Sequence, residues 1–455
     1  MLNKGECIPI IFLMLILMNI SLILRSLLYP LISVLSLFIR PLRERRSFEM
    51  RNSRLASSES FNRVGKRAEI AFHFSSEGEL EIIRPIIDQC LAQGHLIELL
   101  FTSLSVEAKV VKLCELYPEK VRSFRMPLLT FFPFFFGQNN YRWLSSKKLM
   151  MVRYDFLPEL ICLRPFLEKF ILFAASAKSS SNHDWRFFFK KGLYQVFDDL
   201  FPTTKEDHQF FLDEFRGTRL RVHGPSELRS IQINKRQVQF NFHANGVHKV
   251  LHDLITLNER RMIIAQLWPA ELPFLNSSRF IEEIRTGDTL CYIAPHRFDS
   301  GFVSEIREGL MKIFGASTPI YMIEKTSCAE DILSILKAYQ NKPGPILSCV
   351  PGILCELYPL FKKSYIGGGL GKGVHSLLEP FVAGNSIACA HNVKRSTEYD
   401  IAKSLGHEIT IVDSAKKFED FVFSPLHKEV DITHFIEENE KSLLGLLRLL
   451  EISHA

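Results

Sequence analysis

The chain has 455 residues, of which 47% are hydrophobic and 23% are charged, and its formal net charge is +6. This length exceeds what one hydrophobic core usually organises, and the apolar content excludes a largely disordered chain, so we expect two domains. The small positive excess suits an anionic ligand or an anionic membrane surface, and it is too weak to predict a nucleic-acid partner. Nine cysteines without a C-x-x-C pair predict free thiols in a reducing cytoplasm.

The N-terminus contains two apolar runs followed by a basic cluster. Residues 7–24 carry no charge and are long enough to span a bilayer as a helix, and a second run, 26–39, follows the lone Arg25. No small-residue cleavage site follows the first run, which argues against a signal peptide. We expect one anchoring helix followed by a membrane-surface helix, with a re-entrant pair as the main alternative. A basic cluster after the second run favours a cytoplasmic location for the rest of the chain, and it consists of Arg40, Arg43, Arg45, Arg46, Arg51 and Arg54.

After a polar, serine-rich linker at 47–66, short apolar runs alternate with amphipathic stretches. In the first half we predict strands at 68–74, 96–101, 149–154, 169–174 and 218–222, with helices between them, such as 79–92 and 204–214. The pattern restarts with strands predicted at 261–268, 289–295, 319–324, 345–350, 364–367, 386–391 and 408–413. The intervening stretch, 223–260, is predicted to be polar and irregular.

This alternation predicts an α/β fold with two Rossmann-like, doubly wound domains facing a cleft. We place a membrane anchor at 1–46, an N-terminal domain at 47–229, a C-terminal domain at 230–430, and a last amphipathic helix within 431–455. Because ligands bind at the carboxyl ends of parallel strands, residues that directly follow strands are the first candidates for a site.

The segment from His73 to Pro85 leaves the first predicted strand, turns at Gly78 and starts a helix. Glu77 and Glu79 are candidate carboxylates at this corner, where a general base could meet an acceptor hydroxyl. The competing interpretation is a capping box, in which a serine at 76 and the glutamate at 79 each satisfy a backbone N–H. On residue type alone, the capping box is the more frequent explanation.

A glycine-rich turn from Gly367 to Pro380 also leaves a predicted strand and opens a helix. Such a turn lets the backbone approach a phosphate, and the helix N-terminus supplies N–H donors and positive potential. The segment is neither a P-loop nor a G-x-G-x-x-G motif, so we expect no dinucleotide cofactor. The competing interpretation is a second capping box, formed by Ser376 and Glu379.

Both segments resemble motifs of the bacterial transferases of 3-deoxy-D-manno-octulosonic acid (Kdo). The family carries a stretch resembling H-A-x-S-V-G-E-x-x-x-x-R-P, and Glu77 replaces its valine here. The family's glutamate is the proposed base that activates the lipid acceptor, so the resemblance assigns this role to Glu79. If Glu77 and Glu79 were buried together, one of their pKa values should rise. The matching positions are His73, Ser76, Gly78, Glu79, Arg84 and Pro85, with Ser76 and Gly78 on the acceptor side.

The second segment resembles the family's G-G-S followed by G-G-H-N-P-L-E-P, which grips the CMP end of the donor. The resemblance implies that Glu379 holds the ribose hydroxyls and that His375 lies near the phosphate. Ser376 replaces the asparagine of the motif and Leu377 replaces its first proline. The matching positions are Gly367, Gly368, Gly373, His375, Leu378, Glu379 and Pro380.

Weaker matches extend the resemblance over most of residues 20–425. Residues 150–161 resemble V-E-T-E-L-W-P-N-L-I, with Asp155 matching on the acceptor side and Arg153 in place of a glutamate. Arg297 lies in a stretch similar to P-R-H-P, with the histidine and arginine exchanged, and could neutralise the leaving phosphate. Three further donor-side candidates are Asn392, Lys178 and Lys372.

Residues 127–137 read PLLTFFPFFFG and are the densest part of a chain with 38 phenylalanines. A buried hydrophobic loop would explain this run. A membrane-dipping or acyl-chain-binding surface would explain it equally well, because exposed apolar patches usually mark such contacts.

The resemblance implies a GT-B-type glycosyltransferase on the cytoplasmic side of the inner membrane. It would move Kdo from CMP-Kdo to the 6′-hydroxyl of a lipid A precursor, lipid IVA, with inversion and with Glu79 as base. The chain has no D-x-D motif, so we expect no catalytic metal, and no cofactor besides the donor substrate. The alternatives are a related transferase with another donor or acceptor, and a catalytically degenerate membrane-bound lipid-binding protein.

Overall fold

The computed structural model describes residues 7–51, 67–129, 144–153, 155–177, 185–371, 373–393, 396–427 and 430–452. The chain divides into two compact units, one formed by Met1–Arg229 with Glu438–Ala455 and the other by Ser230–Glu437. Each unit contains one seven-stranded sheet. All strand pairs in the two sheets are parallel, as the alternation of strands and helices predicts.

The first sheet has the strand order β3-β2-β1-β4-β5-β6-β7. Its strands are β1 (Ile70–Phe74), β2 (Ile97–Phe101), β3 (Val121–Arg125), β4 (Lys148–Val152), β5 (Lys169–Ala175), β6 (Asp199–Pro202) and β7 (Arg221–Val222). The α-helices before and between them are α1 (Cys7–Phe38), α2 (Arg40–Met50), α3 (Glu77–Ala92), α4 (Glu107–Leu116), α5 (Pro158–Ile161), α6 (Trp185–Tyr194) and α7 (Lys205–Glu214). Short 3-10 helices cover Leu104–Val106 and Arg164–Phe166.

The second sheet has the order β10-β11-β9-β8-β12-β13-β14. Its strands are β8 (Arg261–Leu267), β9 (Leu290–Pro295), β10 (Tyr321–Ile323), β11 (Ile346–Ser348), β12 (Lys363–Ile366), β13 (Ser386–Cys389) and β14 (Ile409–Ile411). The α-helices are α8 (Arg229–Gln239), α9 (Gly246–Ile255), α10 (Ser278–Thr286), α11 (Ser300–Phe314), α12 (Ala329–Asn341), α13 (Leu354–Leu357), α14 (Leu378–Val382), α15 (Thr397–Ser404), α16 (Ala415–Phe423) and α17 (Ile432–Leu449). Further 3-10 helices cover Phe242–Ala244, Pro269–Leu275 and Tyr358–Leu360.

Each sheet has a topological switch point, where the strand order reverses. In the first sheet it lies between β1 and β4, and in the second it lies between β8 and β12. Ligands of doubly wound folds bind outside the carboxyl ends of the strands at this point. The segments that follow β1, β4, β8 and β12 are therefore the first places to look for a site.

The sequence missed two strands and two helices. β3 is an edge strand whose inner residues include the polar Arg122 and Ser123 and are only partly buried, and β6 is only four residues long, so neither shows an apolar run. The stretch 223–260, expected to be irregular, contains α8 and α9. Both helices are strongly amphipathic, and only a narrow apolar stripe on each is buried, for example Leu251 and Leu254 on α9.

The N-terminal segment also differs from expectation. The two apolar runs form the single helix α1, rather than a spanning helix and a surface helix or a re-entrant pair. Ile11–Phe38 has a mean hydropathy of 2.3 and is long and apolar enough to cross a membrane. The helix continues through Arg25, a residue type that favours helix, and this side chain forms an ion pair with Glu159 of α5.

One face of α1 packs onto the first unit. Met14, Met18, Leu22 and Ser26 recur at every fourth position and are buried, which is the spacing of one helix face. The other faces carry exposed apolar side chains, among them Phe12, Leu13, Leu17, Leu24, Leu27, Leu31 and Phe38. A surface of this kind suits a lipid environment rather than water.

Candidate functional site

The corner between β1 and α3 holds the Glu79 carboxylate in place. Ser76 is the N-cap of α3, and its Oγ accepts the backbone N–H of Glu79 at 3.3 Å. Oε2 of Glu79 accepts the backbone N–H and the hydroxyl of Ser75, at 2.6 and 2.9 Å. The expected N-cap hydrogen bond to Ser76 is thus present, although the Glu79 carboxylate accepts from Ser75, the residue before the N-cap. The cap leaves the carboxylate in a fixed orientation at the switch point of the first sheet.

Glu79 combines burial with one unengaged oxygen. Its side chain is 7% exposed, and within the described residues Oε1 makes no hydrogen bond. Desolvation raises the pKa of Glu79, and the hydrogen bonds from Ser75 partly oppose that rise. A carboxylate with a raised pKa and one available oxygen is suited to accept a proton near neutral pH.

Glu77 does not share this environment. Its carboxylate is half-exposed and pairs with Lys109 of α4 at 3.0 Å, and Lys109 also pairs with Glu81 at 2.8 Å. The two neighbouring glutamates are therefore not buried together. Residues two positions apart on a helix point in directions about 200° apart, so Glu77 faces solvent while Glu79 faces the sheet.

Two other motif residues stand apart from Glu79. His73 lies within β1 and is fully buried, with neither ring nitrogen hydrogen-bonded to a described residue. Desolvation lowers its pKa to about 3, so His73 is neutral. Arg84 lies one turn further along α3 and pairs with Asp88 at 2.6 Å on the helix surface.

The segment after β4 contributes two charged residues, Arg153 and Asp155, that act on Glu79. Arg153 has a left-handed backbone, with φ of 63°, and its N–H donates to Phe173 O at 2.7 Å. Asp155 raises the pKa of Glu79 and Arg153 lowers it, although both effects are smaller than the desolvation. The charge reversal at Arg153 therefore places a cation, rather than a second carboxylate, near the candidate base.

The N-terminal helices contact the same edge of the first sheet. Arg45 of α2 donates to Met126 O at 2.5 Å and to Thr102 O, and these residues directly follow β3 and β2. Arg25 of α1 pairs with Glu159 in α5, which follows β4. The apolar helix α1 is thus attached to the unit at the carboxyl edge of its sheet, where Glu79 lies.

In the second unit, the turn after β12 packs tightly against neighbouring segments. A Cβ on Gly367 would lie 2.2 Å from Gln266 O, and one on Gly369 would lie 2.7 Å from Ala390 O. Gly368 has φ of 97°, and a Cβ there would lie 2.6 Å from Gly373 O. Only glycine fits these positions, because any side chain would collide with backbone.

A buried glutamate that the sequence analysis missed supports this turn. Glu271 follows β8 and has no exposed surface. Its carboxylate accepts the N–H of Gly368 at 2.9 Å, the N–H of Trp268 at 3.2 Å and the hydroxyl of Tyr365 at 3.2 Å. Glu271 thus connects the segments after β8 and β12 across the switch point.

Three stacked rings lie beside the glycine turn. The His296 ring stacks on Trp268 at 4.4 Å and on His375 at 4.1 Å between centroids. Trp268 Nε1 lies 3.1 Å from His375 Nε2 and can only donate, so His375 carries its proton on Nδ1. Burial and the neighbouring His296 lower the pKa of His375 to about 4. His375 is therefore a neutral N–H donor at neutral pH.

A cavity of about 250 Å³ opens at the carboxyl ends of β8, β9 and β11. Two segments singled out from the sequence reach it through Glu379 and His296. Its lining side chains include Arg236, Gln266, Tyr292, His296, Ser348 and Glu379. Arg236 is the one lysine or arginine among the described residues that line the cavity, and it pairs with Glu356 at 2.7 Å. Arg236 lies on α8, in the stretch expected to be irregular, and no local motif marks it.

Arg297, expected to contact the leaving phosphate, does not line this cavity. Its side chain is 58% exposed and pairs at 2.8 Å with Asp299, which caps α11. The preceding residue, His296, faces the cavity instead, and its Nδ1 bonds Gln266 Oε1 at 2.9 Å. Side chains alternate in direction along an extended segment, so only one of the two neighbours can face inward.

Backbone N–H groups at the start of the helix after the glycine turn are already hydrogen-bonded. α14 begins at Leu378 without a side-chain cap, and Ser376 and Glu379 do not form the expected capping box. The N–H groups of Leu377 and Leu378 donate to Glu398 at 2.6 and 2.9 Å. This carboxylate occupies the donors that were expected to receive a phosphate.

Asn392 stabilises the glycine turn from the other side. Its side-chain amide donates to Gly371 O at 2.7 Å, and its backbone N–H donates to Gly369 O at 3.0 Å. Asn392 therefore shapes the turn. Lys178, Lys372 and residues 130–137 of the aromatic segment lie outside the described residues.

Two Rossmann-like units, each with candidate site residues after its switch-point strands, define a fold of the GT-B glycosyltransferase class. Residues 43–226 match the family model described as 3-deoxy-D-manno-octulosonic-acid transferase (kdotransferase). Over these residues the N-terminal unit is similar to this family, and the match supports a glycosyltransferase. No curated protein sequence matches the chain.

Solved structures resemble the chain in fold. The UDP-GlcNAc 2-epimerase from Methanocaldococcus jannaschii is 11% identical with a TM-score of 0.51, covering 83% of this chain and 99% of that one. The C-terminal CMP-Kdo binding domain of WaaA from Acinetobacter baumannii is 16% identical with a TM-score of 0.28, covering 48% of this chain and 98% of that one. Arabidopsis thaliana UGT89C1 complexed with quercetin is 13% identical with a TM-score of 0.48, covering 85% and 100%. The last two likenesses are too weak to bear on the site.

Proposed function

We propose that this protein transfers Kdo from CMP-Kdo to a lipid A precursor, lipid IVA, with inversion and with Glu79 as the general base. The observation that carries the proposal is the environment of Glu79 within a unit that matches the Kdo transferase family. Oε2 is held by Ser75, burial raises the pKa, and Oε1 has no hydrogen bond within the described residues.

The reaction requires one proton transfer and one displacement. The acceptor hydroxyl gives its proton to Glu79 Oε1, and its oxygen forms a bond to the anomeric carbon of Kdo. The bond from that carbon to the phosphate oxygen breaks, and CMP leaves with the bonding electrons. Attack opposite the leaving group inverts the anomeric carbon in a single step.

The cavity in the second unit supports a nucleotide-sugar donor. It lies where doubly wound folds bind nucleotides, and Glu379 can accept hydrogen bonds from ribose hydroxyls. The cation of Arg236 lines this cavity and is suited to stabilise the departing phosphate, in place of Arg297 and the α14 N-terminus. His375 does not line the cavity, but its ring stacks on His296, which does, and its N–H is a second candidate donor.

The placement of α1 supports a lipid acceptor and attachment to the inner membrane. Its exposed faces are apolar, and it joins the first unit near the segment after β4. A lipid-linked hydroxyl that remains at the membrane surface would then meet Glu79 without leaving the bilayer. The arginines after α1 favour the cytoplasmic side.

The test is transfer of radiolabelled Kdo from CMP-Kdo to a tetra-acylated lipid A precursor by the full chain in detergent. We expect transfer by the wild type and a loss of about 100-fold or more in kcat for Glu79→Gln, which keeps the shape but removes the base. Glu77→Gln is the matched control, because that exposed neighbour pairs only with Lys109 among the described residues, and it should keep near-normal transfer.

Absence of transfer by the folded wild type would reject this donor and acceptor. In that case, binding of another CMP- or UDP-sugar would indicate a related transferase. Equal activity in wild type and Glu79→Gln would reject Glu79 as the base while keeping the Kdo assignment.

A further inference from the structure

A second cavity in the same unit lies at the opposite edge of the sheet. It has a volume of about 370 Å³ and is lined by residues at the amino ends of β8, β9 and β12, including Met262, Thr289 and Lys363. The candidate donor cavity lies at the carboxyl ends of β8 and β9. Because the strands are parallel, the two cavities lie on opposite edges and cannot be parts of one site.

The lining of this cavity is strongly basic. Five cationic side chains face one carboxylate, Glu259, and no family motif recognised in the sequence reaches this region. Like charges around a confined space repel each other, and a bound anion relieves that repulsion. The five cations are Arg260, Arg261, Arg279, Lys362 and Lys363.

Two of these cations build the wall of the cavity. Lys363 is 8% exposed and donates to Phe421 O at 2.6 Å and Val422 O at 2.9 Å, which ties it to the end of α16. Arg261 donates to Asn258 O at 2.7 Å and to Leu360 O. The ammonium of Lys363 donates to backbone carbonyls, and Arg261 uses Nε and Nη1 in the same way, so both side chains are held in the wall of the cavity.

The other cations keep donors for a ligand. In the part of the chain that the structure describes, Lys362 and the guanidinium of Arg279 have no hydrogen-bond acceptor and no ion pair within 4 Å, although the carboxylate of Glu419 is close enough to interact electrostatically with Arg279. The Cζ of Arg279 lies over the Phe423 ring, 3.8 Å from its centroid, which favours one placement of the guanidinium. Arg260 uses one nitrogen in an ion pair with Glu283 at 2.8 Å and is 60% exposed.

The cavity also has an apolar side. Met262, Val422, Phe423, Pro425 and Leu426 line it, and Leu426 is 55% exposed although it is a large hydrophobic residue. A small inorganic anion would leave this surface uncovered. A ligand that carries a phosphate on a larger body would use both parts.

We propose that this cavity binds a phosphate-bearing ligand whose phosphate contacts Arg279, Lys362 and Arg260 and whose body covers Phe423 and Leu426. Phosphate is the anion that matches several convergent N–H donors of lysine and arginine. The ligand is either a phospholipid headgroup or a soluble phosphate compound, and both present the same chemistry to the three cations. This site is separate from the proposed transfer reaction and does not depend on it.

The test is isothermal titration calorimetry of the full chain in a nonionic detergent, with two probes. Inorganic pyrophosphate represents soluble phosphates, and monomeric dihexanoyl phosphatidic acid represents a lipid headgroup. The test variant Arg279→Gln with Lys362→Gln should weaken binding of the accepted probe by about tenfold or more, because two charged donors are lost. The charge-matched control, Arg307→Gln with Lys337→Gln on the exposed faces of α11 and α12, should bind as the wild type does.

A second control separates this site from the donor cavity. His296→Ala alters the donor cavity and should leave the affinity for the probe unchanged. Tighter binding of the lipid probe would identify a membrane ligand, and tighter binding of pyrophosphate a soluble one, and either supports the site. The proposal is overturned if neither probe binds the wild type, or if the test variant binds as tightly as the charge-matched control.

Discussion

Arg25 of α1 forms an ion pair with Glu159, a residue whose side chain has no exposed surface. Burial raises the pKa of Glu159, and the neighbouring guanidinium opposes that rise. The arginine that interrupts the apolar sequence is thus not a boundary between two helices. It selects the face of α1 that packs onto the first unit, since any other rotation would leave the buried carboxylate without its cation.

The Arg25–Glu159 pair should stabilise the attachment of α1. Arg25→Gln leaves a buried charge unpaired and should lower the free energy of unfolding by about 3 kcal/mol. The double change Arg25→Gln with Glu159→Gln should recover much of this loss, because no buried charge remains. Urea denaturation of the full chain in detergent would measure both.

Arg40 offers a surface control for this experiment. It pairs with Glu44 at 2.7 Å, and both side chains are largely exposed, so Arg40→Gln should change stability by less than about 0.5 kcal/mol. A double variant as unstable as Arg25→Gln alone would show that lost packing, rather than the unpaired charge, causes the effect.

The pH dependence of the transfer rate should reflect the pKa of Glu79, which burial raises. The base must be deprotonated, and desolvation raises its pKa above the ordinary glutamate value of 4.5. The acid limb of kcat/KM should therefore lie above that value. Ser75→Ala removes a hydrogen bond that lowers this pKa and should move the limb to still higher pH.

The measurement is the initial rate from about pH 5 to about pH 9 for wild type, Ser75→Ala and Glu77→Gln. The last variant should keep the wild-type limb, because Glu77 pairs with Lys109 on the surface. An acid limb that does not move in Ser75→Ala would mean that another group controls the rate.

Two glycines of this turn, Gly367 and Gly371, form a matched pair for substitution by alanine. Gly367→Ala should abolish binding of CMP and lower the melting temperature, because its Cβ would lie 2.2 Å from Gln266 O and 2.6 Å from Glu271 Oε2. Gly371→Ala should be tolerated, since its nearest neighbour would be Gly368 O at 3.8 Å. Calorimetric CMP titration and thermal unfolding of both variants would distinguish them, and equal behaviour would contradict the close packing described above.

The buried histidines should make the protein sensitive to mild acid. The folded-state pKa of His375 is about 4, against an ordinary value of 6.5, so the unfolded chain binds more protons between these values. This contribution to stability is complete above about pH 6.5 and is lost as the pH falls towards about 4. His407, with a pKa lowered by burial to about 4, acts in the same direction.

We therefore expect the free energy of unfolding to fall between pH 7 and pH 5, and to fall less in His375→Gln. Urea denaturation at about these two pH values measures the difference. His434→Gln changes an exposed histidine and should retain the wild-type loss. An equal loss in His375→Gln and wild type would show that His375 does not remain neutral in the fold.

The candidate site was only partly visible in the sequence. Glu79, Ser76 and the Gly367–Gly373 turn follow apolar runs directly, and motif resemblance drew attention to them. Arg236 and Glu271 carry no comparable signal, because one lies on a polar helix and the other is a single acid after a strand. Residue type favours Arg297 over its neighbour His296 as a phosphate contact, but it does not tell which of the two side chains faces inward.

The amino-acid sequence by itself determined the alternation of strands and helices, the apolar N-terminal helix and the turns after β1 and β12. These features depend on burial periodicity and backbone preference within a few neighbouring residues. The tertiary structure decided the partners of the charged groups, such as Arg25 with Glu159, Glu271 with Gly368 and Glu398 with the start of α14. Such pairings join distant segments, and they arise from which strands become neighbours and which polar groups lose water together.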